Sequence, residues 1–422
     1  MDRALVLVCL AGCSFSVDTS VDTTGDASVS LVCPSVGRMC VGDVLHECMT
    51  KGEQSSTTSC AWGCIASGTA HCGVVTPAGG AVQPTALGGG GLLAASIDGV
   101  LDSNSGAIAG HRGPGMGVID GIDFSVRNNV GIFRFAKLTV SGPLALGGDN
   151  AVALVSLGDI DVDAAIDARG GCAGQNAGPG GFRGGARAQA AEGMGGGTGG
   201  TGSHDNSSGG GGGGHATAGA IGGKSSGTLN AAGGPAFGDV QISVLSGGGG
   251  GGGGGAGTGG VGGGGGGAVQ LLANGTIRIA AGNGINAGGC GGGGTTDDSG
   301  GGGGAGGTIL LEAPQISIGD LSGLAVNGGG GGGADPGDAG DDGQLSTDHA
   351  NGGNGGAASG GAGAAAVGGA SAGGNAKNSG GGGGAHGRIR MNTKPGTTPA
   401  LSNAFFSPEI GAFATIGTAN VQ

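Results

Sequence analysis

The chain has no tyrosine, a single tryptophan (Trp62) and only 2% aromatic residues. It therefore lacks the usual platform on which sugars or single-stranded nucleic acids stack. A formal net charge of -13 further opposes nucleic acid or an anionic lipid surface as partner. Beyond its first residues, no stretch approaches the roughly 18 apolar residues of a membrane span. The histidines (His46, His71, His111, His204, His215, His349 and His386) are scattered and show no metal-ligand spacing. Matches to Gly-x-Gly-x-x-Gly are many, but none opens a helix after a strand, which removes the dinucleotide and phosphate-loop readings. No catalytic residue stands out, and an enzyme is not expected.

What the chain has is glycine, 119 residues of 422. Between the glycine runs lie short apolar segments that match one another. Val152–Val162 followed by Ile166–Cys172, Val269–Ile279 followed by Ile285–Cys290, and Ile309–Ile318 followed by Leu324–Gly329 share one pattern, and Gly387–Met391 closes the series. Such self-similarity marks a repeat architecture. Ile309 follows Val269 by 40 residues, Ile389 follows Ile309 by 80, and Val269 follows Val152 by 117. These read as one, two and nearly three steps, with Ile242–Leu245 as a degenerate unit in the longest gap. Within a unit, apolar residues alternate with small or polar ones, as in Val152/Leu154 and Ile277/Ile279, which places them on one face of a strand. The expected fold is mainly β: a right-handed parallel β-helix, or solenoid, with three strands per coil.

The runs Gly209–Gly214, Gly247–Gly255, Gly262–Gly267 and Gly328–Gly333 would be excursions from the coils. Two readings stand. Glycine loses the most entropy on ordering, which favours flexible linkers. Alternatively the runs are extended polyglycine helices packed side by side, because only a residue without a side chain lets backbones approach so closely. That second arrangement resembles the glycine-rich sandwiches of certain phage tail-fibre adhesins and of a glycine-rich antifreeze protein.

At the start, Ala4–Ala11 is an apolar run, and Leu10-Ala11-Gly12-Cys13 resembles a bacterial lipobox. The resemblance implies export, a lipid on Cys13, and anchorage of the protein to a membrane. Ser14, which is not aspartate, implies the outer membrane by analogy with enterobacterial sorting. Cys33, Cys40, Cys48, Cys60, Cys64 and Cys72 form an even, dense set that reads as a disulfide framework of open connectivity. Zinc at Cys60 and Cys64 is the competing reading, weakened by the lack of a second tight pair. Trp62 is expected to pack beside these bridges. Cys172 and Cys290 end matching segments, so they should occupy matching corners and form a disulfide.

Two acidic groups remain. Asp159, Asp161 and Asp163 alternate along one strand and, with Arg169, are the only groups that could serve a polysaccharide lyase or hydrolase. Asp335, Asp338, Asp341 and Asp342 lie in a loop able to wrap a cation, so calcium is the one cofactor considered. The expected organisation is a signal over 1–12, a tether over 13–32, a disulfide-rich module over 33–73 and a linker over 74–93. A glycine-rich solenoid over 94–393 and a C-terminal cap over 394–422 follow. The whole plan resembles glycine-rich surface lipoproteins of the myxobacterial type, through the lipobox, the cysteine module and units ending in Gly387–Thr393. The resemblance implies architecture and place but no activity. A structural or adhesive surface protein is the first expectation, with other surface proteins or surface polysaccharide as partners and no nucleic acid. A calcium-dependent polysaccharide-binding module comes second, and a β-helix lyase or hydrolase third.

Overall fold

The matching segments lie side by side in a computed structural model that describes Cys33, residues 35–50, Gln54 and residues 56–422. Cys9 and Cys13, with the expected signal and tether, fall outside the described residues. Ala151–Ser156, Ala268–Ala273, Thr308–Glu312, Arg388–Thr393 and Ala414–Thr418 pair in parallel within an eight-stranded sheet. A ten-stranded sheet holds the two shorter strands of each unit. In one arm Ile160–Val162, Thr276–Ile279, Gln315–Ile318 and Ala400–Leu401 follow one another, and in the other Ile166–Asp167, Gly284–Asn286, Gly323–Ala325 and Phe405–Ser407. Both arms start from the long strand Lys137–Gly147, which pairs on its other side with Ala94–Asp102. The described residues form no α-helix, only one short 3-10 turn at Pro84–Leu87.

Register follows from the apolar alternation, because a slip by one residue would turn every large side chain outward. Val152, Val269, Ile309 and Ile389 stand in one row, and Leu154, Leu271, Leu311 and Met391 in the next. Ile166, Ile285, Leu324 and Phe406 form a third row from the other sheet. All of them belong to one buried cluster.

The spacing misleads in one respect. The gaps of 80 and 117 residues each separate strands that are direct neighbours, so each is a single step. Residues 168–267, 287–307 and 326–387 leave from the same corner of successive units and return to the eight-stranded sheet. Ile242–Leu245 is not a unit. Ile242 has φ 53, which breaks an extended strand, and Ile242 and Leu245 instead cover the outer face of the eight-stranded sheet beside Leu272 and Leu310.

The N-terminal module is an antiparallel sheet of Gly37–Val41, Val44–Cys48 and Ser56–Ser59, held by the disulfides Cys33–Cys48, Cys40–Cys64 and Cys60–Cys72. Its cysteines are spent in bridges, which leaves none of these six for zinc. Residues 74–93, expected as a linker, begin as a buried strap. Val75 and Thr76 pair with Asn420 and Val421, and Val75, Ala81 and Val82 pack with Trp62 over the outer sheet face. Hydrophobic cover explains this, since the outward residues Val155, Leu272 and Leu310 would otherwise meet water. The C-terminal residues both extend the stack, through Ala400–Leu401, Phe405–Ser407 and Ala414–Thr418, and return to the strap.

Candidate functional site

The glycine runs are ordered, and their bonding has a period of three. Gly249, Gly252 and Gly255 donate to the carbonyls of Gly214, Gly211 and Ser208, while Gly248, Gly251 and Gly254 donate to those of Gly266, Gly263 and Gly260. The third direction faces residues 180–189, through Gly247 to Gly180 and Gly253 to Gln189. Gly300, Gly303 and Gly306 repeat the rule toward Ser379, Gly382 and Ala385. Three residues per turn is the geometry of an extended left-handed helix, whose bonds must all go to neighbours. Each run is thus one rod in a sheaf. A Cβ on Gly212 would overlap the Gly383 carbonyl, and one on Gly252 the Thr198 carbonyl. The sheaf is closed to any other residue at such positions, which excludes the linker reading.

The loops at the end of the sheaf remote from the sheets bond to one another. Asp298 accepts from the Thr258 amide (2.8 Å) and hydroxyl (2.6 Å), and these bonds hold its carboxyl below the ordinary range against the opposing effect of burial, the largest single influence on it. Asn378 donates to the Asp297 carbonyl (2.6 Å) and to Asp335 (3.1 Å), and the Gly337 amide reaches the Thr295 carbonyl. Beside these loops lies an open groove of about 550 Å³ lined by Arg187, Thr258, Thr295 and Thr296 among glycines.

The predicted corner pair is joined. Cys172 and Cys290 form a disulfide with Cα atoms 5.2 Å apart, linking the first and second excursions. The acidic residues of the expected calcium loop do not converge. Asp335 receives Asn378, Asp341 receives Asn351 (2.9 Å) and Asp342 receives the Gly291 amide (2.9 Å). Among the described residues, the one group of three ligand-type side chains at metal distance is Cys172, Cys290 and Asp342, and its two sulfurs are already bonded to each other. Asp341 and Asp342 instead line an open groove of about 650 Å³ with Gln344, Asp348, His349 and Asn351.

The strand carboxylates are engaged in the stack itself. Asp161 takes Lys137 at 3.0 Å and Arg278 at 2.7 Å, one from each neighbouring strand, and Lys137 also lies 3.7 Å from Asp159. The bond to Asp161 raises the Lys137 ammonium above its ordinary value. Arg169 is paired with Asp167 at 2.8 Å. Asp163 is exposed. Three of the four residues named for a lyase, Asp159, Asp161 and Arg169, thus stand in ion pairs.

Sequence reasoning passed over several buried polar groups. Glu312 accepts from Gln270 (2.6 Å), Asn392 (3.1 Å) and the Ala78 amide (3.1 Å), pinning the strap to the sheet, and burial raises its carboxyl pKa. Arg388, on the outward face of the same sheet, and His215 and His386 lie where sheaf and sheets meet. The signal was present in the outward positions of Arg388–Thr393, where charged and polar residues alternate with core residues. Compared with protein-family models, with curated proteins and with solved structures, the chain matches none.

Proposed function

We propose that this protein is a non-catalytic lipoprotein of the bacterial cell surface, held to the outer membrane by a lipid on Cys13 and projecting a rigid structural or adhesive body. In this reading the stacked strands are coils of a parallel β-helix, right-handed as nearly all parallel crossovers are. The observation that carries the proposal is the sheaf. Its interior is filled mainly by glycine backbone, with bonding in three directions, so it can present the remote loops (Thr295–Asp298, Asp335–Gly337 and Asn375–Asn378) on a stiff support. A body built this way offers many polar backbone and side-chain contacts at its end, which suits attachment more than turnover.

The test is made in cells. Protease added to intact cells should cleave the unaltered protein, and Cys13→Ser should move it from the membrane to the soluble fraction. Deleting the gene should reduce attachment of the cells to surfaces or to each other. A protein shielded from external protease, with attachment unchanged on deletion, overturns the reading. A second reading, polysaccharide binding with or without calcium, is favoured by the groove beside Asp341, Asp342 and Asp348. Glycan-selective binding that chelator removes would support it over a purely structural role.

A further inference from the structure

Two buried arginines invite comparison by how their N–H groups are spent. Arg112, 4% exposed, gives Nε to the Ile122 carbonyl, Nη1 to Gly106 and Gly113, and Nη2 to Gly115 and Gly117, with every distance between 2.7 and 3.1 Å. All five of its donors are used. Arg388, 8% exposed, gives Nη2 to the Phe237 and Gly238 carbonyls at 3.0 and 3.3 Å, and its buried Nε–H has no partner. No carboxylate among the described residues forms an ion pair with it; Asp239 acts on it only at longer range. A buried guanidinium with an unspent donor and no ion pair is costly.

His215 faces the same place. It is 1% exposed, its ring stacks on Phe237 with centroids 4.7 Å apart, and its Nδ1 lies 2.8 Å from the Gly306 carbonyl. A carbonyl can only accept, so Nδ1 carries the proton and Nε2 is the nitrogen that titrates. Gly238 lies between the two side chains. A Cβ on the exposed Gly238 would stand 3.5 Å from Arg388 Nε and 3.9 Å from His215 Nε2, so both nitrogens border one spot beside that glycine. With His215 neutral, the spot has one donor and one acceptor; with His215 protonated, it has two donors and two positive charges.

We infer that Arg388 Nε–H and His215 Nε2 form a binding site for one small free monovalent anion, of the size of chloride or formate, against Gly238. The balance is simple: one anion and one proton enter together, the proton on His215 Nε2, and the net charge of the site is unchanged. The charged groups acting there are Arg388, His215 and the more distant Asp239, with Arg388 the one that acts on His215. Because the anion stabilises the protonated ring, it binds more tightly in acid and in turn raises the pH at which His215 titrates.

Chloride is the probe, used on the intact protein. Its NMR linewidth should broaden on adding protein, with binding about twofold tighter at pH 5 than at pH 7. Formate should compete, and the bulkier dianion sulfate should not. Chloride should raise the His215 midpoint, followed by its ring resonances, by about one pH unit. Arg388→Gln should abolish both effects while the far-ultraviolet spectrum stays that of the parent. Should that variant fail to fold, the unaltered protein decides alone. A linewidth and a His215 midpoint that ignore chloride, or sulfate competing as well as formate, would overturn the inference.

Discussion

The stacked sheets and the glycine sheaf are both ordered, but opposite parts of the chain hold them. In the sheets, rows such as Val152, Val269, Ile309 and Ile389 bury side chains, and the backbone ladder follows the rows. In the sheaf, side chains are few and small, and the carbonyls and amides of neighbouring rods satisfy one another. Hydrophobic transfer favours the first region. The second must overcome the large ordering entropy of glycine with hydrogen bonds that contribute only about 1 kcal/mol each. The sheaf is therefore the region that depends more on being tied at its ends, and every excursion is indeed tied to the sheets at both.

The largest expected effect comes from loosening one tie. The Cys172–Cys290 bridge closes a loop of sequence separation 118. In the chain-entropy account its removal costs about 4–5 kcal/mol. Replacing both cysteines by serine should lower the unfolding midpoint, and hydrogen exchange should show the amides of Gly247–Gly255 losing protection before those of Ala268–Ala273. Simultaneous loss in both regions would mean that sheaf and sheets form one cooperative unit and that the contrast between them is only geometric.

A pair of single substitutions sharpens the comparison further. Leu271→Ala removes buried volume from the core and should cost about 2–5 kcal/mol. Gly252→Ala adds one methyl where the Thr198 carbonyl already stands and should cost about 1–3 kcal/mol. Taking carbon atoms away is harmful in one region, and adding one is harmful in the other. Denaturant melts of the two variants test this; a neutral Gly252→Ala would show that the rods can part to admit a side chain.

The sheets were legible because their physics is written in side-chain alternation. Ile277/Ile279 and Ile316/Ile318 give face and register directly, and the corner logic placed Cys172 beside Cys290. Step length was not legible. Spacing measures chain consumed, and an excursion can consume any amount, so 117 residues looked like three steps and proved to be one. Glycine runs carry no pattern of their own, and nothing local separates a linker from a rod. Only the neighbours decide, as Gly252 shows by bonding to Gly211 far along the chain. The acidic residues misled for a related reason. Asp161 reads as a free carboxylate on one strand, yet Lys137 and Arg278 arrive from the strands stacked on either side.

Acid should act at the seam between the two regions. Burial lowers His215 and His386 from 6.5 to about 4 in the folded protein. Both pKa values are depressed on folding, so the unfolded chain takes up protons first as the pH falls, and stability is lost between about pH 6.5 and pH 4. For His215 alone the loss is on the order of 2 kcal/mol at pH 5. Glu312 works in the opposite direction, because its raised pKa means that the folded state gains stability as its carboxyl is protonated. Urea melts at pH 7 and pH 5 in low-chloride buffer should therefore show a net fall. His215→Gln should flatten that fall, whereas Glu312→Gln should steepen it. A profile that His215→Gln leaves unaltered would mean that this ring reaches solvent, and the seam would then be looser than either region it joins.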